Sequence, residues 1–286
     1  MIITVASGKG GTGKTTVATS LATVAPPGAH LLDCDVEQPN AHLFLQPTFD
    51  TTEPITVPVP HVDLDACDAC GKCGQICQFS AIVALKTKPL TFPELCHGCG
   101  GCSLVCPTNA ITEVSRDVGT LEKGDAHHIR FVHGRLRIGE AMAPPLIRAV
   151  KSHAAPNDTL TIIDAPPGTS CPVIEAIRHS DYVVLVTEPT PFGLHDLKLA
   201  VDMARELDLP FGVVINRADI GDNRVVDYCQ TQNIDILLQI PHDRRIAEAY
   251  SKGQPPARLS PTYANMFTQL LNRIQHLTSP TTEAVS

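Results

Sequence analysis

Short apolar runs alternate along the chain with segments in which apolar residues recur at helical spacing. Ile2–Ala6 is apolar and β-branched and stops at Ser7-Gly8, after which Lys14–Val24 has helical character. Ala29–Leu32, Leu160–Ile163, Tyr182–Thr187, Phe211–Ile215 and Ile236–Ile240 are expected strands. Helical stretches are expected near Val173–His179, Leu194–Leu207, Arg224–Thr231, Arg244–Ser251 and Tyr263–His276. Strands that are apolar throughout are buried on both faces, and strand–helix alternation makes neighbouring strands parallel. The expected fold class is α/β, a doubly wound, mostly parallel sheet. Between about Val57 and Thr112 the rhythm stops and Cys, Gly and Pro take over. A small insert is expected there, giving an α/β domain of residues 1–56 and 113–277, an insert of 57–112 and a disordered tail of 278–286. The segment Phe131–Glu140 is expected to lead back to the sheet as a hairpin.

Two stretches carry chemistry. Gly8-Lys9-Gly10-Gly11-Thr12-Gly13-Lys14-Thr15 fits G-x4-G-K-T between an expected strand and an expected helix. Its glycines let backbone N–H groups turn toward phosphate oxygens at a helix N-terminus, whose dipole favours anions. In such a loop Lys14 reaches the β- and γ-phosphates and the Thr15 hydroxyl binds Mg²⁺. The second stretch holds eight of the eleven cysteines in two runs of one spacing: Cys67-x2-Cys70-x2-Cys73-x3-Cys77 and Cys96-x2-Cys99-x2-Cys102-x3-Cys106-Pro107. Ala81-Ile82 and Ala110-Ile111 follow the two runs at the same distance, as an internal repeat would leave them. Zinc also takes four thiolates, but its sites pair two C-x2-C knuckles across a longer gap.

Bulk composition narrows the classes. The 286 residues are 43% hydrophobic and 18% charged, enough for one large domain with a small insert. A net charge of −8 with no Lys/Arg run argues against nucleic-acid binding, and with 4% aromatics and no tryptophan there is little for bases to stack on. No apolar run approaches the roughly 18 to 20 residues of a membrane span, and no secretory signal is visible. A cytoplasmic protein is expected, in which thiols stay reduced and clustered cysteines mean metal.

The cysteine spacing resembles that of the bacterial two-cluster ferredoxins. That resemblance implies two [4Fe–4S] clusters with crossed ligands, one on Cys67, Cys70, Cys73 and Cys106, the other on Cys96, Cys99, Cys102 and Cys77. Gln78 departs from the pattern, which usually has proline there. The loop Lys9 to Thr16 resembles the deviant phosphate loop of the MinD superfamily of P-loop ATPases, which includes the partitioning ATPases, the Mrp-type iron–sulfur carriers and the nitrogenase iron protein. With the insert, nearly the whole chain resembles MinD-superfamily ATPases that carry an inserted two-cluster ferredoxin domain. The resemblance implies that ATP is bound by Gly8, Lys9, Gly10, Gly11, Thr12, Gly13, Lys14, Thr15 and Thr16. It further implies that Lys9 reaches across an ATP-sandwich homodimer to the partner's nucleotide. By the same resemblance Asp35 of Asp33-Cys34-Asp35 polarises the attacking water, and Asp33 supports the metal and loop. Asp164 of Ile162–Gly168 would hold Mg²⁺ through water, the Gly168 amide would sense the γ-phosphate, and Asn216 would recognise adenine. Arg217 and Asp243 would complete that pocket, and Thr187–Leu197 matches a loop typical of the group.

The expected activity is ATP hydrolysis, slow without a partner because no glutamine or arginine finger is visible, with dimer closure gating electron transfer through the clusters. A redox or target protein is the expected partner, with no stable membrane association. Rival readings are an iron–sulfur assembly carrier and a MinD-like partner switch. Cys34 and Cys229 read as small buried residues. Cys171 stands where the nitrogenase iron protein places a cluster ligand, though a second ligand per subunit is not apparent. The stripe Met266, Leu270, Leu271 and Ile274 reads as a last helix docked on the sheet, since its polar face is not basic.

Overall fold

The computed structural model describes residues 1–86, 88–155 and 159–278. The elements in order are β1 (Ile2–Ser7), α1 (Lys14–Val24), β2 (His30–Asp33), α2 (Ala41–Leu45), β3 (Thr48–Val62) and α3 (Lys72–Ile76). There follow β4 (Ile82–Ala84), β5 (Pro89–Thr91), α4 (Gly101–Leu104), β6 (Ile111–Ala126), β7 (Ile129–Leu136) and α5 (Ala143–Lys151). The remainder is β8 (Thr161–Pro167), α6 (Cys171–Ile177), β9 (Tyr182–Thr187), α7 (Pro191–Glu206), β10 (Phe211–Asn216), α8 (Arg224–Thr231), β11 (Ile236–Ile240), α9 (Arg244–Ser251) and α10 (Pro261–Thr278).

The chain divides into two units, one of Met1–Thr52, Glu122–Gly134 and Ile147–Ser286, the other of Glu53–Leu121 and Arg135–Leu146. The sheet has the order β11-β10-β9-β1-β8-β2-β7-β6-β3, and residues 53–62 of β3, 111–121 of β6 and 135–136 of β7 belong to the second unit. From β11 to β7 every printed pairing is parallel. Alternation across the pleat explains the core: Ile3, Val5, Leu31, Ile162, Val184 and Val214 share one cluster with Val17, Ala18 and Leu21 of α1 and Phe267, Leu270 and Ile274 of α10. The expected docking of the last helix by its apolar stripe is therefore observed. Thr278, assigned from sequence to the tail, is the last residue of α10, and its hydroxyl donates to the Ile274 carbonyl at 3.1 Å. The rest of the expected tail lies outside the described residues.

Two long strands went unanticipated. β3 carries Pro54, Pro58 and Pro60, which a central strand would not tolerate, but β3 is the edge of the sheet, where missing donors leave no ladder bond unmade. β6 is largely polar and exposed at its start, so its period was masked. The segment expected to lead back to the sheet as a hairpin holds β7, which follows its sheet neighbour β6 across the two-residue His127-His128 link and pairs in parallel with β2.

The second unit holds α3, α4 and the two-stranded sheet of β4 and β5, which pair antiparallel with Val83 opposite Leu90. Its two halves repeat in backbone as well as sequence. Ala69 and Gly98, Gly71 and Gly100, and Ser80 and Asn109 occupy matching places, and all have positive φ, from 52° to 78°.

Candidate functional site

β1 delivers the chain into the phosphate loop, and α1 begins at Gly13, whose φ of 96° is left-handed. Only glycine fits there: a Cβ would meet the Asn216 side chain. At Gly8 an added Cβ would run into the backbone of Asp196 on α7. Thr12, Lys14, Thr15 and Thr16 are buried. Asn216, at the end of β10, donates its Nδ2–H to the Thr12 carbonyl (2.8 Å) and accepts from the Arg217 N–H (3.0 Å). It thus straps the loop to the opposite strand end, a role that its position in the sequence did not disclose.

Three carboxylates from two adjacent strand ends face Lys14. Its Nζ lies 3.2 Å from Asp164 Oδ1 and 3.5 Å from Asp35 Oδ2. Burial by itself lowers the Lys14 pKa, but Asp164, Asp35 and Asp33 together raise it above the ordinary value. Asp33 is fully buried and accepts from the N–H groups of Asp35, Asn40 and Ala41 at 3.0 to 3.1 Å. Desolvation, then the Asp164 charge, nonetheless push its pKa well up. Asp35 is raised by burial, with Lys14 opposing. Asp164 Oδ2 is buried with no partner, so a polar ligand or hydrated cation would satisfy it. The residues present fit a magnesium ion at Thr15 and Asp164.

A cleft of about 1270 Å³, counted with its solvent-open space, brings together Gly10, Gly11, Gly13, Lys14, Thr15, Thr16, Asp35 and Asn216. Gly8, Lys9, Thr12, Asp164 and Gly168 are not in its wall. Asp164 is joined to it through Lys14, whereas the Gly168 N–H donates to the Ser7 carbonyl at 2.9 Å. Sensing a phosphate with that amide requires exchange of the Ser7 bond. Sequence reasoning missed Gln38, His242 and Tyr250, which also line the cleft. Arg217 and Asp243 line it as expected, but Asp243 is also the N-cap of α9, accepting from Arg245 N–H (2.8 Å) and Tyr263 OH (2.6 Å).

In the second unit the eight cysteines sort into two pockets. One is lined by Cys67, Cys70 and Cys73 with Cys106, the other by Cys96, Cys99 and Cys102 with Cys77. Each takes three cysteines from one run and the fourth from the other. The pockets measure about 370 and 420 Å³ with their open space. Desolvation raises the Cys77 thiol, but the N–H groups of Phe79, Ile82, Ala81 and Ser80 outweigh it and hold the thiol below its usual pKa. At Cys106 desolvation is likewise outweighed, by the Thr108 hydroxyl and the N–H groups of Ala110, Thr108 and Ile111. Among the described residues no group of three or more His, Cys, Asp or Glu is placed to hold a single metal ion. Outside the pockets Cys34 and Cys229 are buried, and burial raises both thiols, Cys229 to about 11, whereas Cys171 is exposed at the start of α6.

The fold resembles the cell-division ATPase MinD of Pyrococcus furiosus, with a TM-score of 0.57, 21% identity and coverage of 96% of this chain and 98% of that one. It also resembles the septum site-determining protein MinD of Pyrococcus horikoshii complexed with Mg-ADP (TM-score 0.56, 19% identity, 97% of both chains). An uncharacterized protein of Methanocaldococcus jannaschii is 30% identical over 264 residues, 89% of this chain and 90% of the relative. An iron-sulfur cluster carrier protein of Aquifex aeolicus is 32% identical over 109 residues, only 33% of this chain and 30% of the carrier. The family described as the CobQ/CobB/MinD/ParA nucleotide binding domain matches residues 3–257. The chain belongs to that family.

Proposed function

We propose that this chain is an ATP-hydrolysing iron–sulfur protein in which nucleotide-dependent closure of a homodimer gates electron transfer through two [4Fe–4S] clusters. The second unit is then a ferredoxin-like insert, and a cytoplasmic setting keeps its thiols reduced. The observation that carries the reading is the crossed sorting of eight cysteines into two pockets of four, in a chain that also has a phosphate loop. Cys67, Cys70, Cys73 and Cys106 would hold one cluster, and Cys77, Cys96, Cys99 and Cys102 the other. Bound there, the clusters would supply one-electron chemistry.

In the nucleotide cleft, the N–H groups of the loop cradle the phosphates and Lys14 leaves Asp35 and Asp164 to meet their negative charge. Thr15, and Asp164 through water, would hold Mg²⁺, which would neutralise charge on the phosphates. Asp35, released from Lys14, orients the attacking water, and Lys9 serves the partner protomer's nucleotide. Asn216 positions the loop and contacts adenine with its remaining N–H.

The test is an anaerobic redox titration of reconstituted protein without nucleotide, with ADP and with a non-hydrolysable ATP analogue. A shift of about 60 mV or more between states, or about 1.4 kcal/mol for one electron, supports coupling. Equal potentials in all three states refute gating. A second reading, a cluster carrier, is favoured by the local similarity to carrier proteins and by the exposure of Cys171. It predicts transfer of iron and sulfide to an apo-acceptor that is lost in Cys171→Ala.

A further inference from the structure

The two halves of the second unit differ where their pockets meet solvent. His97 follows Cys96 as Asp68 follows Cys67, and Phe79 stands two residues past Cys77 as Thr108 stands two past Cys106. In the second pocket the Phe79 and His97 rings both line the wall, with centroids 3.6 Å apart and planes 11° from parallel. Both residues are also exposed, Phe79 by 41%. The stacked pair therefore stands between the pocket and water. In the first pocket Asp68 lines the wall and Thr108 does not, and among the described residues no aromatic ring lines it.

The first pocket has aliphatic wall residues of its own, Leu85 and Pro89, with Leu85 exposed, and the cysteines and carboxylates match. Each pocket has one buried cysteine (Cys73, Cys96), one exposed (Cys70, Cys99) and two between. Each wall carries one carboxylate, Asp68 in the first and Glu113 in the second. The stacked ring pair is the feature of the second wall with no counterpart in the first.

We propose that the Phe79–His97 stack is a water-excluding lid that makes the second pocket the lower-potential of the two electron-carrying sites. This rests on the cluster reading above. Reduction adds negative charge to a site already ringed by thiolates, and nearby water dipoles stabilise that charge, so shielding the site lowers its potential. Phe79 and His97 are positioning residues here; neither holds iron.

The test is an EPR-monitored redox titration of the full chain loaded with iron and sulfide. Wild type should titrate in two waves. Phe79→Thr, which installs the repeat partner's residue, should move the lower wave up toward the upper and leave the upper in place. His97→Ser should do the same, and spin-echo spectra in D₂O should show deeper deuterium modulation at the uncovered site. Asp68→Asn, which removes a charge from the first wall, should raise only the upper wave and so assign it. A lower wave unmoved in both lid variants, or movement of the wave that Asp68→Asn also moves, overturns the lid. An iron count well below about eight per chain overturns the cluster reading and the lid with it, so the two failures are told apart by the iron count.

Discussion

Replacing Gly13 by alanine tests how the phosphate loop is held. The new side chain meets two obstacles. A non-glycine residue in the left-handed region costs about 1–2 kcal/mol. Its Cβ also lands on Asn216 Nδ2, displacing the bond to the Thr12 carbonyl, and an unsatisfied buried acceptor costs about 1–3 kcal/mol. Gly13→Ala should thus raise the free energy of the nucleotide-ready loop by about 2–5 kcal/mol, weakening ADP about 30-fold or more. The two obstacles are separable. Asn216→Ala removes the colliding atom, so the double variant should suffer the backbone strain and lose the strap only once. Binding of a fluorescent ADP analogue to wild type, both single variants and the double variant closes the cycle. We expect a favourable coupling of about 1–3 kcal/mol, since residues in contact couple on that scale. Additivity within about 0.5 kcal/mol would refute the collision, and with it the strap.

Cys77→Ser should empty the pocket of Cys96, Cys99 and Cys102 while leaving the pocket of its own run loaded, halving the iron content measured after anaerobic reconstitution. Loss of iron from Cys67, Cys70 and Cys73 instead would contradict the crossing. Phe267→Ala, at a fully buried site where α10 meets the sheet, should lower the unfolding free energy by about 3–5 kcal/mol in urea melts. Burial pushes the Tyr182 hydroxyl up to about 12. Its folded-state pKa lies above the unfolded value near 10, so the stability it supports is complete below pH 10 and is lost as pH rises toward 12. Urea midpoints should fall in that window, by at most about 2.7 kcal/mol in free energy, and Tyr182→Phe should flatten the decline.

Much of this was legible in the sequence because it follows from local constraints. Gly13 has to be glycine, strands buried on both faces have to be apolar, and β9, α8, α9 and β11 begin and end where their patterns do. β3 escaped because its evidence is tertiary: its prolines are acceptable only at a sheet edge, which no local window reveals. The cleft wall escaped for a similar reason. Gln38 and Tyr250 are far apart in the chain and have no shared motif; the crossover topology alone brings them together. Asp33 and Asp243 were visible as residues, but not the backbone amides each one holds.

Helix α1 starts on a glycine with no side-chain cap, and no acidic residue stands in its first turn. Ordinary helices satisfy those first amides with a serine or aspartate of their own. Here the cap has to come from outside, so an anion in the cleft completes the helix as well as being bound by it. Occupancy and persistence are thereby linked: ligand at 100 times its Kd adds about 2.7 kcal/mol to stability. The empty chain should therefore open more often and be cut more readily by proteases than the chain with nucleotide, ADP or ATP, in its cleft.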